Sequence, residues 1–147
     1  MKVAFGTDEH TPLTDAVRTD LEARGYTVVA VADGQWVEVG HAVGEAVASG
    51  RCDTGVLFCW TGTGASIAAN KVPGVRAALC TDAATAAGAR TWNDANVLVM
   101  GLRLTSPEVA SEMLDAWFAT AVDPDEAEVI AGLEREGSLR GCRHPPS

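Results

Sequence analysis

Apolar residues in this chain follow two rhythms. Short continuous runs alternate with segments where apolar side chains recur every three or four positions. Val3–Gly6, Thr27–Val31, Thr54–Cys59, Val75–Cys80 and Ala95–Met100 read as strands. The third is so uniformly apolar that burial on both faces is expected. Between them, Thr11–Arg24 carries Leu13, Ala16, Val17 and Leu21 along one helical stripe and stops at Gly25. His41–Ser49 is a second helix ending at Gly50, and Ala65–Lys71 a third, broken by Pro73-Gly74. Thr81-Asp82 caps an alanine-rich helix through Arg90. Ser106 and Pro107 start a helix to roughly Thr120, and Asp123-Pro124-Asp125 starts a last one. Residues 1–136 are expected to form one domain, with 137–147 as a polar tail.

Five strands alternating with helices predict an α/β fold. The expected form is a Rossmann-like three-layer sandwich with a parallel sheet, right-handed crossovers and helices on both faces. The strand order expected is 2-1-3-4-5. Ligands of such sheets collect beyond the C-terminal strand ends, where the strand order reverses. There the loops after strands one and three meet: Thr7-Asp8-Glu9-His10 and Cys59-Trp60-Thr61-Gly62-Thr63-Gly64.

Composition narrows the function. A hydrophobic content of 47% supplies a globular core. Twenty acidic residues against 11 basic ones give a net charge of −9, which opposes binding to nucleic acid or to an anionic membrane. A local cationic pocket for a small anion stays open. Val56–Trp60 is far shorter than the ~20 residues of a membrane helix, and the N-terminal apolar stretch is too short for a signal-peptide core. Cysteines at 52, 59, 80 and 142 form no C-x-x-C pair, arguing against a zinc site or a disulfide scaffold. A cytoplasmic protein is expected.

Glycines at 62 and 64 let the third-strand loop curl, and the following helix aims free N–H groups at it. The turn is a cradle for a phosphate or an oxyanion, or an ordinary strand-to-helix connection. Cys59 ends the strand beside that helix start, where the dipole favours a thiolate able to act as a base. The alternative is a small buried hydrophobe, the reading given to Cys52, Cys80 and Cys142. Asp8, Glu9 and His10 offer three proton-handling groups, or a solvated loop before a helix cap. Arg103 follows strand five at the same edge, as an anion contact or a surface arginine. Trp36, Trp117 and Phe118 read as core or interface aromatics.

The stretch from Cys59 through Gly62, Gly64, Ser66-Ile67-Ala68-Ala69-Asn70-Lys71-Val72-Pro73-Gly74 to Leu79 resembles the ribose-5-phosphate isomerase B family, which includes the galactose-6-phosphate isomerase subunits. The likeness extends to Val3–Asp8, Ala46–Gly50, Asn93–Leu98 and Gly101-Leu102-Arg103, and covers roughly residues 1–120. It implies aldose–ketose isomerisation of a sugar phosphate without metal or other cofactor. It also implies a homodimer or homotetramer whose active site lies at the subunit interface. By the same resemblance Cys59 is the base, Thr61 and the amides of Gly62, Thr63 and Gly64 stabilise an enediolate, and Asp8 bonds sugar hydroxyls; Glu9 and His10 beside it are further substrate-binding candidates on their own chemistry. Asn93 is a sugar contact and Arg103 a phosphate contact, with Arg140 and Arg143 supplied by a partner subunit.

Some positions depart from the family pattern. Glu9 stands where a histidine is usual, Trp60 where a glycine follows the cysteine, and Trp92 where a histidine opens the sugar ring. Indole exchanges no proton at neutral pH, so ring opening by that route is lost. That loss leaves open a catalytically silent metabolite-binding protein, and the blurring of the family's C-terminal arginine motif into Arg140-Gly141-Cys142-Arg143-His144 leaves open an isomerase of a non-phosphorylated sugar derivative.

Overall fold

The structure is a computed structural model and describes residues 1–135. Its elements alternate along the chain: β1 (Lys2–Thr7), α1 (Pro12–Ala23), β2 (Thr27–Ala30), α2 (Trp36–Ala48), β3 (Thr54–Cys59), α3 (Thr63–Asn70), β4 (Ala77–Leu79), α4 (Ala83–Asn93), β5 (Val97–Gly101) and α5 (Pro107–Ala119). A single 3-10 turn (Pro124–Glu126) leads into α6 (Ala127–Arg135).

All strand pairs are parallel, and the order is β2-β1-β3-β5-β4. The α/β class is as expected, but the last two strands are exchanged relative to 2-1-3-4-5. The lengths and burial of the two strands match the exchange. β5 is buried along its whole length and takes the place beside β3. β4 is three half-buried residues and makes an edge.

Uniform right-handed crossovers then dictate the layers. The steps from β1 to β2 and from β4 to β5 run one way across the sheet, placing α1 and α4 on one face. The steps from β2 to β3 and from β3 to β4 run the other way, placing α2 and α3 opposite. α5 joins the first face. The core is correspondingly double. Phe5, Val56, Phe58 and Met100 meet Val17, Leu21, Met113 and Trp117 on one side. Leu57, Cys59 and Val99 meet Val39, Val43, Ala65 and Ala69 on the other.

Two helices differ from the periodicity reading. α2 begins at Trp36, ahead of the expected His41, and its N-cap Gln35 makes no side-chain cap bond, so the usual start signal is missing. α4 runs past Arg90 to Asn93 and ends on Asp94 in the left-handed region. Among the described residues no helix is long and apolar enough to cross a membrane.

Candidate active site

β3 delivers Cys59 to the C-terminal edge of the sheet, opposite Gly101 of β5. The chain must then turn sharply into α3, and Gly62 makes that turn at φ 79°. A side chain there would overlap Leu79 Cδ1 and come within 3.1 Å of the Gly101 nitrogen. Conversely, a Cβ on Gly101 would lie 2.8 Å from the Thr61 carbonyl oxygen. The turn is thus pressed onto the end of β5, and only glycine at both positions allows it. The hydroxyls of Thr61 and Thr63 share a hydrogen bond of 2.7 Å across it. The segment after β5 is stitched to the same loop: Leu102 N–H donates to the Cys59 carbonyl at 3.0 Å and Arg103 N–H to the Trp60 carbonyl at 2.9 Å. Arg103 therefore rises beside Trp60 with an exposed side chain.

Cys59 is 5% exposed, and its side chain faces the layer of α2 and α3. The Ala65 N–H donates to Cys59 Sγ at 3.5 Å. That amide belongs to the first turn of α3, whose N–H groups have no carbonyl partner within the helix. A hydrogen-bond donor and the positive end of a helix dipole thus face the sulfur. The cysteine is buried: apolar side chains surround it, and its polar contact is a helix-start amide. Cys52 and Cys80 are buried at 2% and 1% exposure, as their bland reading requires. Burial, with a smaller push from the Asp82 carboxylate, raises the Cys80 thiol from 9.0 to about 11.

β1 runs beside β3, with Thr7 level with Phe58, so the Asp8 loop borders the glycine turn. Thr7 Oγ1 donates to the Glu9 carbonyl at 2.6 Å and accepts from Glu9 N–H at 3.3 Å. This hydroxyl closure fixes the loop and leaves Asp8 half-buried and Glu9 and His10 exposed. His10 Nε2 lies 3.8 Å from an Asp33 carboxylate oxygen.

One chain thus gathers Asp8, Glu9, His10, Cys59, the Thr61–Gly64 turn and Arg103 at one edge. Asn93 lies elsewhere. α4 runs antiparallel to the strands, so its last residue is at the edge where β5 begins, at Val97 opposite Gly55 and Ala77. β5 alone separates the two edges by about 13 Å. Asn93 and its neighbour Trp92 are exposed there. Arg140 and Arg143 fall outside the described residues.

Two groups escaped the sequence reading. Ala65 contributes its backbone amide, which no side-chain pattern announces. Trp36, read from sequence as a core or interface aromatic, lies against Gly64, where a Cβ would be 2.9 Å from the indole ring, and so borders the cradle. Trp36, Trp60 and Ile67 remain 41%, 57% and 59% exposed and make this edge apolar as well as polar. The surface concavities of about 370, 510 and 530 Å³ are lined by other residues than Cys59. Among the described residues no group of three or more His, Cys, Asp or Glu side chains is placed to hold a metal ion.

Comparison with known proteins gives consistent matches. The family model described as Ribose/Galactose Isomerase matches residues 3–131. Ribose-5-phosphate isomerase B of Escherichia coli is 35% identical, over 91% of this chain and 97% of that protein. A D-erythrulose-4-phosphate isomerase of Pectobacterium atrosepticum is 35% identical, over 80% of this chain and 82% of the relative. The structure of Clostridium thermocellum ribose-5-phosphate isomerase B superposes with a TM-score of 0.88 at 35% identity, covering 95% of this chain and 99% of that one.

Proposed function

The chain belongs to the Ribose/Galactose Isomerase family, and on that premise we propose that it interconverts an aldose phosphate and a ketose phosphate with Cys59 as the base. The observation that carries the mechanism is the Ala65 amide at the Cys59 sulfur, in the turn that also holds Thr61 and Thr63.

In this mechanism the Cys59 thiolate removes the proton from the carbon next to the carbonyl. The C–H electron pair becomes the carbon–carbon double bond of a cis-enediolate, and the carbonyl oxygen takes the negative charge. The N–H groups at the start of α3 and the Thr61 hydroxyl stabilise that oxygen. Asp8, assisted by Glu9 or His10, moves the hydroxyl proton between the two oxygens. The sulfur returns its proton to the neighbouring carbon, so nothing is consumed. General acid–base catalysis contributes about 10²–10⁴-fold and an oxyanion donor about 3 kcal/mol. Arg103, on the same edge, takes the phosphate.

Asn93 lies at the far edge of its own subunit and serves the site of a second copy. A homodimer or homotetramer with shared sites follows, the exposed Trp36, Trp60 and Ile67 supplying apolar contact around each.

Trp92, in the place of a ring-opening histidine, favours substrates that are open-chain already. A tetrose 4-phosphate has its ring-closing hydroxyl esterified and cannot cyclise, and a relative at 35% identity is named for one. The test follows interconversion of ribose 5-phosphate and of D-erythrulose 4-phosphate by NMR. Turnover of the four-carbon substrate with the higher kcat/KM is expected. A clear preference for ribose 5-phosphate would reject the open-chain assignment, and turnover of neither would reject the reaction for these substrates.

A further inference from the structure

Asp94 is the one described residue other than glycine with a positive φ, at φ 45° and ψ 44°. It ends α4 immediately after Asn93. Its N–H donates to the Arg90 carbonyl at 3.2 Å, and the next amide, Ala95, reaches back to Ala89 at 3.0 Å. Glycine would make the same stop without a steric penalty. Here an aspartate makes it, gripped by two arginines. Arg76 Nη2 lies 3.3 Å from Asp94 Oδ2 and Arg90 Nη1 3.1 Å from Oδ1. Arg76 Nε also donates to the Asp94 carbonyl at 2.7 Å, while Arg90 donates to the carbonyls of Ala95 and Thr120 at 2.5 and 3.4 Å. Asn96 completes the lock, accepting from Arg76 N–H at 2.7 Å and donating to the Gly74 carbonyl at 3.0 Å.

The concavity of about 370 Å³ beside this cluster is lined by both arginines, yet both are engaged with the chain's own carboxylate and carbonyls. What the cluster does is hold one backbone geometry. The residue displayed by that geometry is Asn93. Its backbone is fixed on one side by the α-helix and on the other by the left-handed turn, and Thr91 is further tied by its carbonyl to Asp123 N–H at 2.9 Å.

We propose that Asp94 is a positioning residue: its left-handed turn, clasped by Arg76 and Arg90, sets the attitude in which Asn93 meets substrate in a second copy's site. This rests on the shared-site reading above. Misplacement by about an ångström is costly where a polar group must meet a sugar hydroxyl, so the effect falls on binding rather than on the proton-transfer step.

The test is a double-mutant cycle on the full-length enzyme with D-erythrulose 4-phosphate or ribose 5-phosphate, whichever turns over faster. Asp94→Ala is expected to raise KM about tenfold with kcat within about twofold. In the Asn93→Ala background the same substitution is expected to leave KM within about twofold, because the group it positions is gone. An unchanged KM in Asp94→Ala, or a full multiplicative effect on top of Asn93→Ala, overturns the proposal. An unchanged KM in Asn93→Ala alone overturns the shared-site reading itself and the proposal with it. Should Asp94→Ala not fold, Asp94→Asn removes the carboxylate charge that both guanidiniums share while keeping a side chain at home in the left-handed region. It is then judged in the same cycle by the same criterion.

Discussion

The Ala65 amide points at the sulfur of Cys59 across 3.5 Å. Six residues apart in sequence, the two meet because the chain reverses at Gly62 and starts a helix with its first free amides facing back toward the strand it left. A nucleophilic or basic sulfur needs this kind of neighbour, and a merely structural cysteine such as Cys80 has none: its sulfur donates to the Ala78 carbonyl at 3.6 Å.

That contrast is measurable by alkylation with peptide mapping. Iodoacetamide near neutral pH is expected to label Cys59 in the native protein and to spare Cys52 and Cys80 until denaturant is added. Cys80 also has a pH signature. Its folded thiol is raised from 9.0 to about 11, by burial first and by Asp82 second. The unfolded chain therefore loses this proton sooner, and the stability associated with the neutral buried thiol is whole below pH 9.0 and lost as pH climbs to about 11. Denaturation midpoints should fall across that window in the wild type and fall less in Cys80→Ala. Equal slopes would contradict the assignment.

Gly62→Ala adds a side chain where the backbone is left-handed and where Leu79 and the Gly101 nitrogen already sit. The expected cost is about 1–3 kcal/mol of stability in urea unfolding, together with a fall in kcat larger than the shift in KM. A variant within about 0.5 kcal/mol of wild type would show that the turn is not under this constraint.

The shared site has its own test. Cys59→Ala chains, inactive alone, and Asn93→Ala chains, weak at substrate far below their KM, are mixed after mild dissociation and assayed at that substrate level. Random pairing makes half the dimers mixed, and each of those carries one intact site, so about a quarter of wild-type activity should return. Recovery of none, with mixing verified, would place both residues in one subunit's site or leave Asn93 outside any site.

The architecture was legible because the apolar runs are short, regular and punctuated by Gly25, Gly50 and Pro73-Gly74. The order of the last two strands was not, since adjacency depends on burial across the sheet and not on any local pattern. β4 reads from sequence as a six-residue run at Val75–Cys80, and only three of those residues pair. The start of α2 was hidden because Gln35 caps nothing. In the site, Cys59, the Thr61–Gly64 turn, Asp8 and Arg103 were visible as chemistry at strand ends. Ala65 was not, because its contribution is a backbone amide. Asn93 was named from the resemblance, and the direction of α4 puts it at the edge where β5 begins, opposite the Cys59 turn.

The decisive measurement is solvent deuterium incorporation into D-erythrulose 4-phosphate and ribose 5-phosphate in D₂O, comparing wild type with Cys59→Ser. Serine keeps the shape at a site only 5% exposed, so the fold is expected to survive while the base is lost. Exchange at the carbon next to the carbonyl by the wild type, slowed about 10²–10⁴-fold in the variant, is the expected result. Undiminished exchange in a folded Cys59→Ser protein would mean that some other group moves the proton.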